Sequence, residues 1–391
     1  MTFLVSVIIP TYNRRDYVCE AIDSVMAQTY TEFEIIVVDD GSTDGTGGLL
    51  QARYGDRIQY VWQENQGESA ARNRGIELAQ GAYIALLDSD DSWEPCKLQR
   101  QIAVLEAASE VGLVFCLATM IDQNGKSLPG LMGTVSSQLE LTFARLCLGN
   151  FVTAGSSTAV MRRDVLNKIG KFDIQIQYGE DWDLWLRMIL ETKFVFIPEP
   201  LAKIRLHRGG QWRFPSAEKT TAVLEDHLYL LNRAFEHFPG STAMRKALEA
   251  KALAREYAKA AWAYYAFEQL EEGRACLESA LALDPQTWKD PTKIRQAIID
   301  TALTLSQATP DDDAVAERYV TTVLGHLPQP LAFLSCKQSN LIAQAEVEIG
   351  YWHHAMGNSA RARQHLWWGI KRQPRYLRNL GLLKILIGKR I

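Results

Sequence analysis

An unbroken, β-branched apolar run from Leu4 to Pro10 stops at Pro10-Thr11-Tyr12-Asn13, and the following segment, Tyr17 to Gln28, changes period, with Val18, Ile22, Val25 and Met26 on one side. That pattern predicts strand, loop and helix. The unit recurs: Phe33 to Val38 ends at Asp39-Asp40-Gly41-Ser42-Thr43-Asp44-Gly45 before a helical stretch from about Leu49 to Tyr54. Ile58 to Trp62 reads as a third strand, Glu68 to Ala79 as a third helix, and Ala82 to Leu87 as a fourth strand ending in Asp88-Ser89-Asp90-Asp91. Strands alternating with helices predict an α/β domain on a parallel sheet, whose ligands sit beyond the carboxyl ends of the strands. Every polar cluster named so far lies at such an end. After Pro95 the pattern gives a helix to about Ala108 and a strand from Val111 to Leu117, then a Gly-, Ser- and Thr-containing stretch to about Phe151 that reads as loops; further on, Phe194 to Ile197 is strand-like up to Pro198-Glu199-Pro200.

Beyond Pro239-Gly240 the period is helical throughout and no strand pattern appears, so an all-α domain is expected from about 239 to 391 after an α/β domain over 1–238. Tyr257, Ala261, Tyr264, Gly273, Leu277, Ala280 and Pro285 stand at offsets that resemble a tetratricopeptide helical hairpin, with Gly273 where Ala is commoner. Ile349, Gly350, Ala362, Leu366, Gly369 and Pro374 make a second match. The two prolines are 89 residues apart, well over twice the usual repeat of about 34. Two hairpins with other helices between them fit better than a tandem array.

Composition changes this picture little. Hydrophobic residues make up 47% and charged residues 23%, which excludes a disordered or fibrous chain. With 42 basic and 46 acidic residues the formal charge is −4, giving no global field for nucleic acid. The six cysteines are nowhere closer than 20 residues apart, so no CxxC spacing exists and reduced thiols are expected. MTFLVSVIIPTYN has neither the basic leader nor the cleavage site of a signal peptide. No window reaches the roughly 18 apolar residues of a membrane span. A cytoplasmic protein, at most peripheral to the inner face of a membrane, is the expectation.

The chemistry concentrates in a few clusters. Three carboxylates within Asp88-Ser89-Asp90-Asp91 repel one another unless a positive group sits among them. A hard divalent cation shared with phosphate answers that need; an acidic loop capping the next helix is the alternative. Asp39-Asp40-Gly41-Ser42-Thr43-Asp44 can accept hydrogen bonds from a base or ribose, or form an Asx turn. Arg72, on the first turns of the third helix, can face phosphate or lie on the surface. Glu180 and Asp181 open a helical segment, where acidic residues also serve as caps.

Taken together, "VSVIIPTYNR", "IIVVDDGSTDGT", "NQGESAARNRG", "YIALLDSDD" and "GEDWDLWLRM" resemble the family 2 glycosyltransferases of GT-A fold, in family order and over roughly residues 4 to 210. The resemblance implies a nucleotide-binding half over about 1–97 and an acceptor half over about 98–238. It implies that Pro10, Tyr12 and Asn13 edge the base pocket, that Asp39 meets the base with Asp40 nearby, that Arg72 helps hold the nucleotide, and that Asp88 and Ser89 approach the ribose. Asp90 would bind Mn2+ or Mg2+ bridging the two phosphates, with Asp91 a weaker candidate and His207 completing the metal shell. Asp181 would be the general base, Glu180 its runner-up, in an inverting single displacement from a nucleotide-sugar, a UDP-sugar foremost, to a carbohydrate or lipid-linked hydroxyl. Two other classes compete: a non-catalytic nucleotide-sugar-binding scaffold, against which Asp90 and Asp181 speak, and a nucleotidyltransferase, whose Gly-rich phosphate loop is replaced by Pro10-Thr11-Tyr12-Asn13.

Trp182, Trp185 and Trp212 are placed either to border a sugar acceptor or, for the first two, to fill core. The helical domain suggests protein contacts or self-association. Residues 371 to 391 hold Lys371, Arg372, Arg375, Arg378, Lys384, Lys389 and Arg390 among leucines and isoleucines, with no acidic residue. Such a segment can lie on an anionic bilayer or close the preceding hairpin as a packed helix.

Overall fold

The computed structural model describes residues 5–132, 141–152, 155–206, 216–288, 290–309 and 312–387. They fall into two compact units, 1–210 with 229–248 and 211–228 with 249–391. Residue 238, the expected boundary, falls within the second stretch of the first unit.

The alternation read from the sequence is present: β1 (Val5–Thr11), α1 (Arg15–Met26), β2 (Phe33–Asp39), α2 (Thr46–Tyr54), β3 (Gln59–Trp62), α3 (Glu68–Leu78) and β4 (Tyr83–Leu86). The apolar stripe of α1 is buried as its spacing requires, Val18, Ile22 and Val25 being fully enclosed against Val7, Ile9 and Leu50. Then come β5 (Ser92–Trp93), α4 (Lys97–Ala107), β6 (Val111–Ile121), β7 (Ser127–Met132), α5 (Phe143–Cys147), β8 (Ala159–Arg162), α6 (Arg163–Ile169), α7 (Glu180–Met188) and β9 (Lys193–Arg205). The described strands form one sheet in the order β3-β2-β1-β4-β8-β6-β9-β5, with β7 added to β6.

The first four strands are parallel, as expected. Beyond β4 the sheet is mixed: β8 runs antiparallel to both β4 and β6, β9 parallel to β6, and β5 antiparallel to β9. The stretch before Phe151, read as loops, therefore includes β7 and α5. The strand expected at Phe194 to Ile197 continues to Arg205 through Pro198 and Pro200. It does so by bulging: Cys116 pairs with Ile197 but Leu117 with Pro200, so the residues without ladder donors fall at the irregularity.

The second unit is helical among its described residues. Helices α8 (Ala217–Glu236) and α9 (Thr242–Ala266) each contribute residues to both units. They are followed by α10 (Leu270–Leu283), α11 (Pro285–Trp288), α12 (Pro291–Ala308), α13 (Val315–His326), α14 (Gln338–Ala355), α15 (Ser359–Arg372) and α16 (Leu380–Ile387). Both sequence-derived hairpins are helix pairs, α9 with α10 and α14 with α15, each ending just before its proline. Small residues let the helices close. A Cβ at Gly273 would lie 3.0 Å from the Tyr265 ring, one at Gly350 2.6 Å from Leu366, and one at Gly369 2.7 Å from Val347. Leu382 of α16 is buried beside Leu366, Ile370 and Val347, so this helix does close the preceding hairpin.

Candidate active site at the carboxyl ends of the parallel strands

Register brings the motifs together. Thr11 pairs with Asp39 and Asp39 with Trp62, while Leu87 donates its N–H to the Ile8 carbonyl at 3.0 Å, so the loops after β1, β2, β3 and β4 share one edge. They are stitched to one another. Asn13 adopts φ 51°, a left-handed geometry that Asn tolerates; its N–H donates to Ser42 Oγ at 2.8 Å and its Oδ1 accepts from the Thr43 N–H at 2.9 Å. Pro10 is buried within β1, and Tyr12 is 49% exposed at the rim.

Asp39 and Asp40 are both buried. Asp39 accepts from the Ser42 N–H and from the Tyr60 hydroxyl, each at 2.8 Å. Asp40 accepts from Gln63 Nε2 at 2.7 Å, the Gln66 N–H at 3.0 Å and the Gly67 N–H at 2.8 Å. Its oxygens therefore hold the β3–α3 loop in shape.

The centre of the site is an arginine with three carboxylates. Arg72 is 2% exposed. It donates to Glu180 Oε1 at 2.6 Å, to Asp88 Oδ1 at 2.8 Å and to the Glu68 carboxylate one helical turn away, with the Phe172 ring 5.4 Å from the guanidinium. Both Nη groups are thus engaged by carboxylates from three places in the chain, while Nε has no partner among the described residues. Burial pushes the Glu68 carboxyl up, against the pull of Arg72 and with the push of Asp88 and Glu180. Asp88 shifts the same way, by burial and by Asp90.

The four residues after β4 divide their work. The Asp88 N–H donates to Ser157 Oγ at 3.1 Å, and Ser89 is buried. Asp91, 4% exposed, accepts from the Ser157 hydroxyl at 2.7 Å and the Arg205 N–H at 3.0 Å. It ties the 3-10 turn before β8 to the end of β9. Asp90 keeps a 20% exposed side chain, with Arg14 Nε 3.7 Å away, while its carbonyl accepts from Arg205 Nε at 2.8 Å. Arg205 also reaches Glu20 at 2.6 Å and the Asp122 carbonyl at 3.2 Å, so a buried cation fixes the backbone of the acidic loop. Among the described residues no group of three or more His, Cys, Asp or Glu side chains is arranged to hold a metal alone. The part-exposed carboxylate of Asp90 does suit a hard cation that fills its remaining positions with diphosphate and water. His207 lies outside the described residues, as does Trp212.

Helix α7 begins at Glu180 after Gly179 (φ 84°). It presents Glu180 to Arg72 and Asp181 to Asn150, whose Nδ2 is 3.4 Å from Asp181 Oδ2. Burial and the neighbouring Glu180 push the Asp181 carboxyl up to about 7, against Arg72. That is the range a base working near neutrality needs. Trp182 and Trp185 are core instead of acceptor border: both are buried, and Trp182 Nε1 donates to the Leu146 carbonyl at 2.9 Å. Sequence reading missed Arg205, Ser157, Asn150 and Glu68. Of these only Glu68 carried a signal, its place inside the "NQGESAARNRG" motif.

Residues 6–170 match the family model for glycosyl transferase family 2. Over 231 residues the chain is 34% identical to TuaG of Bacillus subtilis, named as a teichuronic acid biosynthesis glycosyltransferase, and the match covers 57% of this chain and 88% of TuaG. The chain belongs to glycosyl transferase family 2. A relative from Rickettsia prowazekii, named as a glycosyltransferase, is 38% identical over 206 residues, 52% of this chain; the chain spans just under two thirds of that relative, 64%. Among solved structures, S. aureus TarS 1-349 in complex with UDP-GlcNAc is similar at TM-score 0.57 and 20% identity, covering 83% of this chain and 93% of that one. At that identity the likeness is one of fold, and it bears out the GT-A architecture for the α/β unit.

Proposed function

We propose that this family 2 chain is an inverting glycosyltransferase that moves a sugar from a nucleoside-diphosphate donor to a hydroxyl acceptor. The observation that carries the reading is the placement of α7: its first residue is bonded to the Arg72–Asp88 pair at the donor edge, and its second is a carboxylate raised toward neutrality. Asp181 takes the proton from the acceptor hydroxyl, that oxygen bonds to the anomeric carbon, and the bond from that carbon to the diphosphate breaks with its electron pair leaving on phosphate. One displacement inverts the anomeric carbon.

Pro10, Tyr12 and Asn13 border the base, Asp39 accepts from it, and Asp88 with Ser89 meets the ribose, while Asp40 and Arg72 keep these loops in register. Asp90, with His207, would hold Mn2+ or Mg2+, whose charge neutralises the departing diphosphate. The UDP-GlcNAc held by TarS supports a UDP-sugar donor, and the name of TuaG supports an envelope polysaccharide acceptor. Six unpaired cysteines agree with a cytoplasmic setting.

A screen of UDP- and GDP-sugars for binding and turnover, with and without Mn2+ or Mg2+, tests the reading. Metal-dependent turnover of one donor is expected, with inverted product by proton NMR, and Asp90→Ala loses metal-dependent donor binding. Retained anomeric configuration, or unchanged metal-dependent binding by Asp90→Ala, overturns it.

A further inference from the structure

The chain from Ile349 to Ile391 holds nine of the 42 Lys and Arg residues and none of the 46 Asp and Glu. Charge is thus segregated in a protein that is acidic elsewhere. On the described part of this segment the inward faces of α15 and α16 meet over Leu366, Ile370 and Leu382. The outward faces carry a different pattern. On α15 the exposed residues Arg363, Trp367 and Lys371 recur every four positions, and on α16 Leu380, Lys384 and Ile387 stand three or four apart, each set forming one stripe. Between the helices Arg375, Leu377 and Arg378 are exposed on a 3-10 turn.

The apolar members are well exposed: Leu380 73%, Ile387 60%, Trp367 58% and Leu377 48%. Among the described residues Lys371, Arg375, Arg378 and Lys384 have no carboxylate partner, whereas Arg372 pairs with Glu317. Large apolar side chains interleaved with unneutralised cations mark a contact surface. The combination selects the partner. A soluble polyanion would satisfy the cations and leave four apolar side chains in water, whereas an anionic bilayer takes both, with the indole at the headgroup level.

We propose that the outward surface of α15, the 3-10 turn and α16 docks on an anionic phospholipid bilayer. It lies in the interface, since among the described residues no helix is long and apolar enough to cross. The proposal does not depend on the transfer reaction and is tested without it.

The test is co-sedimentation of the full chain with vesicles of phosphatidylcholine alone and of phosphatidylcholine with phosphatidylglycerol. Binding only to the anionic vesicles, weakened by salt, is expected. Neutralising Lys371, Arg375, Arg378 and Lys384 together to Gln should weaken it by roughly 600-fold, since each cation near the surface is worth about fivefold. The pair Leu380→Ser with Ile387→Ser should weaken it at least tenfold with unchanged circular dichroism, because each buried apolar side chain adds to interfacial affinity. No binding to anionic vesicles at low salt overturns the proposal. So does binding that survives both sets of substitutions, or heparin binding of equal strength that the serine pair leaves unchanged, which would make the surface a polyanion site. A concentration-dependent dimer lost in the serine pair, without vesicle binding, would make it a self-association face.

Discussion

Arg72 shows how much one residue's role depends on partners that sequence spacing does not reveal. Its motif was legible, but Glu180 lies 108 positions away, and only the fold brings it, Asp88 and Glu68 to one guanidinium. Arg72→Met strips three clustered carboxylates of their counter-charge, and thermal unfolding of the ligand-free chain should show a loss of about 3–5 kcal/mol. An arginine whose task was only phosphate would leave that stability unchanged. Asp181 behaves in the opposite sense. Because its folded-state pKa stands above that of an unfolded carboxyl, the stability its proton lends at about pH 4 is lost as pH rises toward 7. Asp181→Asn should therefore melt higher at pH 8, by ~2–4 °C for ~1 kcal/mol, while turnover falls. In the wild type, turnover limited by this base should rise with pH through about 7. Asp39, Asp88, Asp90 and the Glu180-Asp181 pair were readable because they sit in motifs at strand and helix ends. Arg205 and Ser157 were not, since single residues that brace a loop from distant parts of the chain carry no local pattern.

At the scale of elements, periodicity served wherever one face decides burial. The strands and helices of the first parallel units were found within a few residues, and so were both helical hairpins. Strand β8, four residues long and antiparallel between β4 and β6, was missed because a short central strand has neither alternation nor flanking punctuation. Strand β9 was shortened because Pro198 and Pro200 argue against a ladder, which the bulge reconciles. Among the helices, Gly369 explains why the α14–α15 match tolerates little: a side chain there meets Val347 at 2.7 Å and the Ala343 carbonyl at 2.9 Å. Gly369→Leu is expected to cost about 3 kcal/mol, read as a lower urea midpoint by far-ultraviolet circular dichroism. A midpoint equal to wild type would show that the helices are not packed this closely.

At the scale of the whole molecule, the two units differ in what holds their buried charges. In the first, acidic groups gather round one arginine at the site. In the second they are paired for structure: against the cost of burial, Lys259 and His227 hold the Glu256 carboxyl down at about 2, and burial with His365 and Arg361 lowers the His353 imidazole. Both signs point the same way. Below about pH 6.5 the unfolded chain binds a proton that His353 in the fold resists, and stability lent by ionised Glu256 above about pH 4.3 is lost as pH falls toward 2. The helical unit's urea midpoint should accordingly drop on acidification, and Glu256→Gln should flatten the lower part of that slope. The proposed transfer belongs to the other unit, with Asp181 as its base. Once a donor is identified, the decisive measurement is donor affinity and turnover of Asp181→Asn beside the wild type. Unchanged affinity with turnover reduced by roughly 10²–10⁴-fold is the predicted result, and turnover within a few-fold of wild type would contradict it.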